Sequence, residues 1–197
     1  MTSRPDFRST TALVIAAAAA ASILAGATAA ARTHHPPAPG RTLWPAPAHP
    51  AAAVRASGLP MLTGDDMGLH IHAHLDVLVN GRPVAVPADV GVDLRADTMS
   101  PLHTHDDTGV LHVEAPAQGE FTLGEFLTEW SVPLSADRLG NLHTGDGATL
   151  RAYVNGIRQP GDPAAIVLHA HDEIALLYDT SAPSAIPPDH YLFDPGE

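Results

Sequence analysis

A strict alternation of polar and apolar residues marks the segment from His70 to Val79. Side chains of a β-strand point alternately to two faces, so a period of two predicts a strand. We expect the apolar face to pack in a core and the polar face, rich in imidazoles, to carry the chemistry. The polar face consists of His70, His72, His74 and Asp76, and the apolar face of Ile71, Ala73, Leu75, Val77 and Val79.

Two hairpins are predicted from a repeated strand ending. The histidine strand ends at Asn80-Gly81, and an apolar strand at 150–154 ends at Asn155-Gly156. Asn-Gly favours a type I′ turn because both positions tolerate positive φ. The first hairpin returns through 84–86, and a last apolar strand is predicted at 174–178.

One helix is predicted between the hairpins. Thr122 and Glu125 have the spacing of a capping box, and the apolar positions after them predict a helix that runs to about Trp130. Residues 135–140 predict one further helical turn, ended by glycine. Residues 97–101 are predicted to be a loop.

The order of elements predicts the fold class. Hairpin, strand, helix, hairpin and closing strand is the order of a β-grasp, in which a mixed sheet wraps one helix. We therefore predict an α+β, β-grasp-like domain with two Asn-Gly hairpins on one helix. Element order alone leaves other small α+β sheets open.

Composition along the chain predicts four segments. Residues 1–31, with two arginines before an apolar run that ends in small residues, predict a cleaved signal peptide. An uncleaved membrane anchor is the alternative, because a helix of about 20 apolar residues spans a bilayer. The Pro- and Ala-rich residues 32–60 predict a disordered tether, 61–180 the folded domain, and 181–197 a tail. The protein is therefore expected to be secreted or attached to the outer face of the cytoplasmic membrane.

Charge and cysteine content exclude several classes of function. The formal net charge is −12, from 10 basic and 22 acidic residues, which argues against a nucleic-acid partner. The chain has no cysteine, so disulfides, thiolate metal sites, iron–sulfur clusters and cysteine nucleophiles are all excluded. A metal site here must use mainly nitrogen and oxygen, and 13 histidines supply the nitrogen.

Histidines recur beside other ligand-type side chains in two further segments. His103-Thr104-His105 is a compact unit of two ligands, and Asp106 is at hand as a ligand or as an acceptor that fixes an imidazole tautomer. His112 and Glu114 share one face of a predicted strand at 110–114. The histidines of the tether, His143, His169, His171 and His190 are weaker candidates. The predicted metal ligands are His70, His72, His74, His103, His105, Asp106, His112 and Glu114.

Ligand type favours copper over zinc. Imidazoles with an optional carboxylate suit Cu(II), Zn(II), Ni(II) or Fe(II), and the affinity order places copper above zinc at equal geometry. Met67 and Met99 lie close to the histidines in sequence and are thioether candidates for Cu(I), although packing is the commoner use of methionine.

Three sequence blocks resemble an uncharacterised family of exported bacterial and archaeal proteins. They are His-Ile-His-Ala-His-Leu at 70–75, the segment 102–114 with Leu-His-Thr-His-Asp and Gly-Val-Leu-His-Val-Glu, and Phe-Thr-Leu-Gly-Glu-Phe at 121–126. The resemblance covers about 69–178. It implies export and the shared histidine blocks, and it implies no reaction.

Three functions remain open from the sequence. The first is an exported protein that buffers, delivers or senses copper, with a membrane or exported metalloprotein as partner. The second is a metal-dependent hydrolase or oxidase with Asp76, Asp106 or Glu114 as base. The third is a tethered interaction module whose histidines become charged below about pH 6.5. The sequence contains no motif of a serine triad or of a phosphate-binding loop.

Overall fold

The computed structural model describes residues 42–64, 68–183 and 185–197. The predicted signal peptide or anchor and the first part of the predicted tether lie outside these residues. Within the described ranges, no helix has the length and apolar character needed to cross a bilayer. The elements are α1 (Pro50–Ser57), β1 (Leu69–Val79), β2 (Arg82–Val84), β3 (Val92–Asp93), β4 (Thr98–Met99), β5 (Leu102–His103), β6 (Val110–Ala115), α2 (Leu123–Glu129), β7 (Leu134–Ser135), β8 (Arg138–Leu139), β9 (Leu142–His143), β10 (Thr149–Val154), β11 (Ile157–Gln159), a 3₁₀ turn (Pro163–Ala165) and β12 (Glu173–Asp179).

The main sheet is mixed and has the strand order β11-β10-β12-β1-β6-β5. Its two central strands, β1 and β12, are parallel, while every other neighbouring pair is antiparallel. Strand β2 pairs with the second half of β1, beyond the part that pairs with β6. The hairpins β1–β2 and β10–β11, together with the parallel pair β1–β12, form a β-grasp-like sheet. The predicted α+β class is confirmed.

Both hairpin turns follow from their Asn-Gly dipeptides. The φ angles are 51° and 71° at Asn80 and Gly81, and 52° and 75° at Asn155 and Gly156. Positive φ at both central residues defines the type I′ turn, whose twist matches that of the flanking strands. The two turns therefore set the register of β1 with β2 and of β10 with β11.

Helix α2 packs on the apolar face of β1 and begins with the predicted capping box. The Thr122 hydroxyl accepts from the Glu125 backbone N–H at 3.3 Å, and the Glu125 carboxylate accepts from the Thr122 N–H at 2.7 Å. Leu75 and Val77 of β1 enter the same core as the helix. The apolar side chains that the helix region buries completely or almost so are Leu123, Phe126, Leu127 and Trp130.

The prediction of a disordered tether is wrong for residues 42–60. Helix α1 buries Val54 completely, and Trp44 packs edge-on against Trp130 with ring centroids 6.0 Å apart. The Trp130 indole N–H also donates to the Trp44 carbonyl at 3.0 Å. Proline at the first helical position starts a helix well, and alanine is the best helix former, so this composition favours a short docked helix.

Residues 135–140 form strands and not the predicted helical turn. β7 and β8 pair in a tight hairpin, and the Ser135 hydroxyl donates to the Asp137 carboxylate across the turn at 2.6 Å. Serine and aspartate side chains compete for local hydrogen bonds, which favours turns over helix interiors. In the predicted loop at 97–101, the short strand β4 pairs with β3.

A buried carboxyl group links α1, α2 and the loop before β5. Glu129 is fully buried, and its Oε1 accepts from Ser100 Oγ at 2.6 Å and from Ser57 Oγ at 3.1 Å. Burial raises the pKa of Glu129 from 4.5 to about 8, while the two serine hydroxyls oppose this rise. The folded protein therefore keeps a proton on Glu129 that the unfolded chain has already released at neutral pH.

We expect stability to fall as the pH rises from about 4.5 to 8, by up to about 5 kcal/mol from this group, because the folded state binds more protons over that interval. Glu129→Gln should remove this dependence and be more stable than wild type at pH 9. Urea unfolding at pH 5 and pH 9 measures it, with the exposed Glu120→Gln as the matched control. Equal pH slopes in wild type and Glu129→Gln would contradict this assignment.

Candidate metal centre

Three neighbouring strands place one histidine each in a row across the sheet. The register sets His72 of β1 opposite His112 of β6, and His112 opposite His103 of β5. Directly opposed residues share a face, so the three imidazoles lie side by side. The ring centroid of His112 is 4.5 Å from that of His72 and 5.3 Å from that of His103. His112 is the centre of the row.

Three further side chains complete the group. His70 lies opposite Glu114 in the same register, and its Nε2 is 3.2 Å from Glu114 Oε1. The His105 ring lies 4.5 Å from the His112 ring, just beyond the end of β5. We call the following set the histidine cluster: His70, His72, His103, His105, His112 and Glu114.

The donor atoms of the cluster fall into two overlapping sets. In each set, one ligand atom from every residue lies within 4.8 Å of the others. Ring nitrogens and carboxylate oxygens bind a metal at about 2.0–2.2 Å, so small movements of the side chains would bring each set onto one ion. The first set is His70, His72, His112 and Glu114, and the second is His103, His105, His112 and Glu114.

A hydrogen bond to the backbone fixes the tautomer of His103. Its Nδ1–H donates to the Ser100 carbonyl at 3.0 Å, which leaves Nε2 with a lone pair. This Nε2 is buried and has no hydrogen-bond partner in the described structure, and the same is true of His112 Nδ1. A backbone carbonyl that orients an imidazole is the usual support of a metal-binding histidine.

Three imidazoles of the cluster are neutral near pH 7 because burial lowers their pKa. Burial, and then the neighbouring His105, lower the pKa of His103 to about 4. Burial, and then His103, lower the pKa of His112 to about 3, and burial also lowers the pKa of His72. Metal binding requires the neutral imidazole, so these side chains need lose no proton to accept an ion.

The cluster has a buried floor and an exposed rim. His72 is 5% exposed and His103 is fully buried, whereas the His70 side chain is 48% exposed and His105 lies at the surface. Each of the two sets thus combines one buried imidazole with one exposed imidazole. An ion can enter and leave through the exposed side.

His74 belongs to a separate buried network and not to the histidine cluster. Its Nδ1 donates to Glu173 Oε2 at 2.7 Å, and its Nε2 donates to the Thr108 carbonyl at 2.9 Å. Asp76 is in hydrogen-bond contact with Glu173, and these three side chains form a third set close enough to hold an ion. The Tyr191 ring stacks on His74 at a centroid distance of 3.9 Å.

The Glu173 carboxyl favours the charged form of His74. Burial alone would lower the pKa of His74, but the hydrogen bond and charge of Glu173 raise it. Burial raises the pKa of Glu173, and the adjacent Asp76 adds to the rise. Both ring nitrogens of His74 are engaged, and His74 lies in a candidate set of its own with Asp76 and Glu173, apart from His72. That His74 is a metal ligand stays a prediction.

Asp106 also lies apart from the predicted site. Its Oδ1 accepts from the backbone N–H of Thr108 at 2.9 Å and from the Thr108 hydroxyl, closing an exposed turn. It joins none of the sets that the described residues form. The Ser100 carbonyl makes the tautomer-fixing contact with His103, which was one of the two roles predicted for Asp106.

The sequence reasoning missed Glu173, and its role had no local signal. Glu173 lies opposite His74 through the parallel pairing of β1 with β12, about 100 residues apart in the chain. The weaker candidates stay outside the cluster: His169 pairs with Asp172, and His171 bonds the Glu197 backbone. Met67 lies outside the described residues.

Comparison with protein-family models, with curated proteins and with solved structures finds no match for this chain. The class of the protein is therefore given by its fold and its site alone. It is an α+β domain with a β-grasp-like sheet, one face of which carries histidine and glutamate groups close enough to hold a metal ion.

Proposed function

We propose that this protein binds copper outside the cytoplasm and buffers, delivers or senses it through the histidine cluster. The observation that carries the proposal is the pair of buried, unpartnered ring nitrogens, His103 Nε2 and His112 Nδ1. A buried polar atom without a partner costs about 1–3 kcal/mol, and a bound ion removes that cost. The other four donor side chains of the cluster lie around these two nitrogens, and an ion is the ligand that fits.

Copper is favoured by the donor chemistry. The cluster offers five imidazoles and one carboxylate, and the cysteine-free chain has no thiolate. At equal geometry such donors bind Cu(II) more tightly than Zn(II), so zinc is the alternative. Met99 lines the same cleft as Glu114, which makes it the thioether candidate for Cu(I).

Binding is favoured over catalysis by the space beside the cluster. The cleft that Glu114 and Met99 line has a volume of about 60 Å³. Pockets for small-molecule substrates usually enclose about 300–1,000 Å³. The exposed His70 and His105 instead leave an ion accessible to a second protein, which suits transfer to a membrane or exported metalloprotein.

The proposed location rests on the N-terminal sequence. An apolar run preceded by arginines and ended by small residues is typical of an export signal, and the family that the three blocks resemble is exported. Fractionation of cells that express the full chain tests this: the protein should leave the cytoplasm, and replacing the apolar run by polar residues should retain it there.

The function is tested by thermal and chemical unfolding with and without Cu(II). At a free ion concentration one hundred times Kd, stability should rise by about 2.7 kcal/mol, because the ion binds only the folded state. The double variant His72→Ala/His103→Ala should lose this gain.

The matched control is His169→Ala/His190→Ala, which removes the same number of histidines away from the cluster and should keep the full gain. The proposal fails if neither Cu(II) nor Zn(II) stabilises the wild-type protein. It also fails if both double variants lose the gain equally, because the ion would then bind surface histidines in general.

A further inference from the structure

The histidine cluster contains more donors than one ion needs. Its six side chains divide into the two sets given above, which share only His112 and Glu114. Protein sites for zinc hold four ligands in most cases, and catalytic copper or zinc sites keep three or four protein ligands. A single ion would therefore leave two imidazoles of the cluster unused.

The Glu114 carboxylate faces both sets. Its Oε1 lies 3.2 Å from His70 Nε2 and 3.6 Å from His112 Nδ1, while its Oε2 lies 3.8 Å from His103 Nε2. The two oxygens of one carboxylate can bind two ions, and ions bridged in this way lie about 3.5–4 Å apart. The position of Glu114 is that of a bridge.

We propose that the cluster holds two copper ions, one on each side of Glu114, with the carboxylate as the bridging ligand. The proposal rests on the proposed function, since it specifies how many ions the same cluster takes. One ion is bound by His70 and His72, and the other by His103 and His105. Glu114 contributes one oxygen to each.

His112 makes the two positions unequal. A neutral imidazole has one lone pair, so His112 binds only one of the ions. One position then has four protein ligands, and the other has three and an open coordination place. The three-ligand ion binds more weakly and is the one that exchanges first.

The surrounding charge supports a second ion. Glu114 supplies one negative charge between the positions, and the Glu197 carboxylate acts on His72 from the C-terminal segment. The chain as a whole carries a net charge of −12. The exposed rim of each set, His70 on one side and His105 on the other, gives each ion its own route to solvent.

Stoichiometry and spin coupling test the proposal on the purified full-length protein titrated with Cu(II). Native mass spectrometry should find two ions per chain, taken up in two steps. Because a carboxylate couples the two Cu(II) spins, the integrated electron paramagnetic resonance signal at two equivalents should be less than the bound copper. His70→Ala/His72→Ala and His103→Ala/His105→Ala should each keep one ion with a full-intensity signal, and Glu114→Gln should weaken binding of the second ion at least tenfold.

The outcomes separate the two proposals. One ion per chain overturns the two-ion centre and leaves the proposed function standing, whereas no bound ion overturns both. Two ions with a full-intensity signal, unchanged in the double variants, place the copper elsewhere and overturn the bridge. If a double variant does not fold by circular dichroism, the wild-type stoichiometry and signal intensity still decide.

Discussion

Replacing His74 by alanine is expected to lower the free energy of unfolding by about 3–5 kcal/mol. The change removes the ring that donates to Glu173 and leaves two adjacent buried carboxyls without it. The Tyr191 ring also loses the surface on which it stacks. Urea unfolding at pH 7 in the absence of metal measures the loss.

The control for this prediction is His105→Ala, which makes the same change at an exposed ring and should alter stability by no more than about 0.5 kcal/mol. His74→Ala that folds should retain the copper-dependent stabilisation, since His74 lies outside the cluster. A small stability loss together with lost metal binding would show instead that His74 is a ligand.

Replacing Trp130 by alanine should cost about 3–5 kcal/mol and release the segment before β1. Trp130 is 1% exposed, contacts Phe126 and Trp44, and donates to the Trp44 carbonyl. Loss of a buried tryptophan leaves a large cavity, and the Trp44 carbonyl loses its donor. Because the chain has only two tryptophans, the fluorescence of the variant reports Trp44 alone and should shift to the red.

The matched variant is Trp44→Ala, which should cost less because Trp44 is only partly buried. Limited proteolysis adds a second measurement, since residues 42–60 should be cut faster in Trp130→Ala than in wild type. Equal stability losses for the two tryptophans, or unchanged protection of the segment, would contradict the docking of α1.

The fold could be predicted where the signal was local. The alternation from His70 to Val79, the two Asn-Gly dipeptides and the Thr122–Glu125 capping box each fix the backbone within a few residues. The docking of α1 could not be predicted this way, because a segment rich in alanine and proline shows little amphipathic pattern. Trp44, just before α1, packs against Trp130, which lies 86 residues further along the chain.

The candidate site could also be predicted only in part. Alternation placed His70 and His72 on one face, and His112 and Glu114 on one face, but only the register of β1, β6 and β5 brings them together. The same alternation put His74 beside His72, although Glu173 from the parallel strand β12 engages it. Side-chain period gives the face of a strand, and only strand pairing gives the neighbours on that face.

Nitrogen-15 spectra of the histidine rings test the central claim most directly. Protein labelled with ¹⁵N-histidine should be titrated with Zn(II), which is diamagnetic, and long-range proton–nitrogen correlations should be assigned by single substitutions. We expect the ring nitrogens of His72, His103 and His112 to shift on metal binding, with those of His74 unchanged. Shifts confined to the exposed His169, His171 or His190, or no shifts at all, would contradict a metal centre at the histidine cluster.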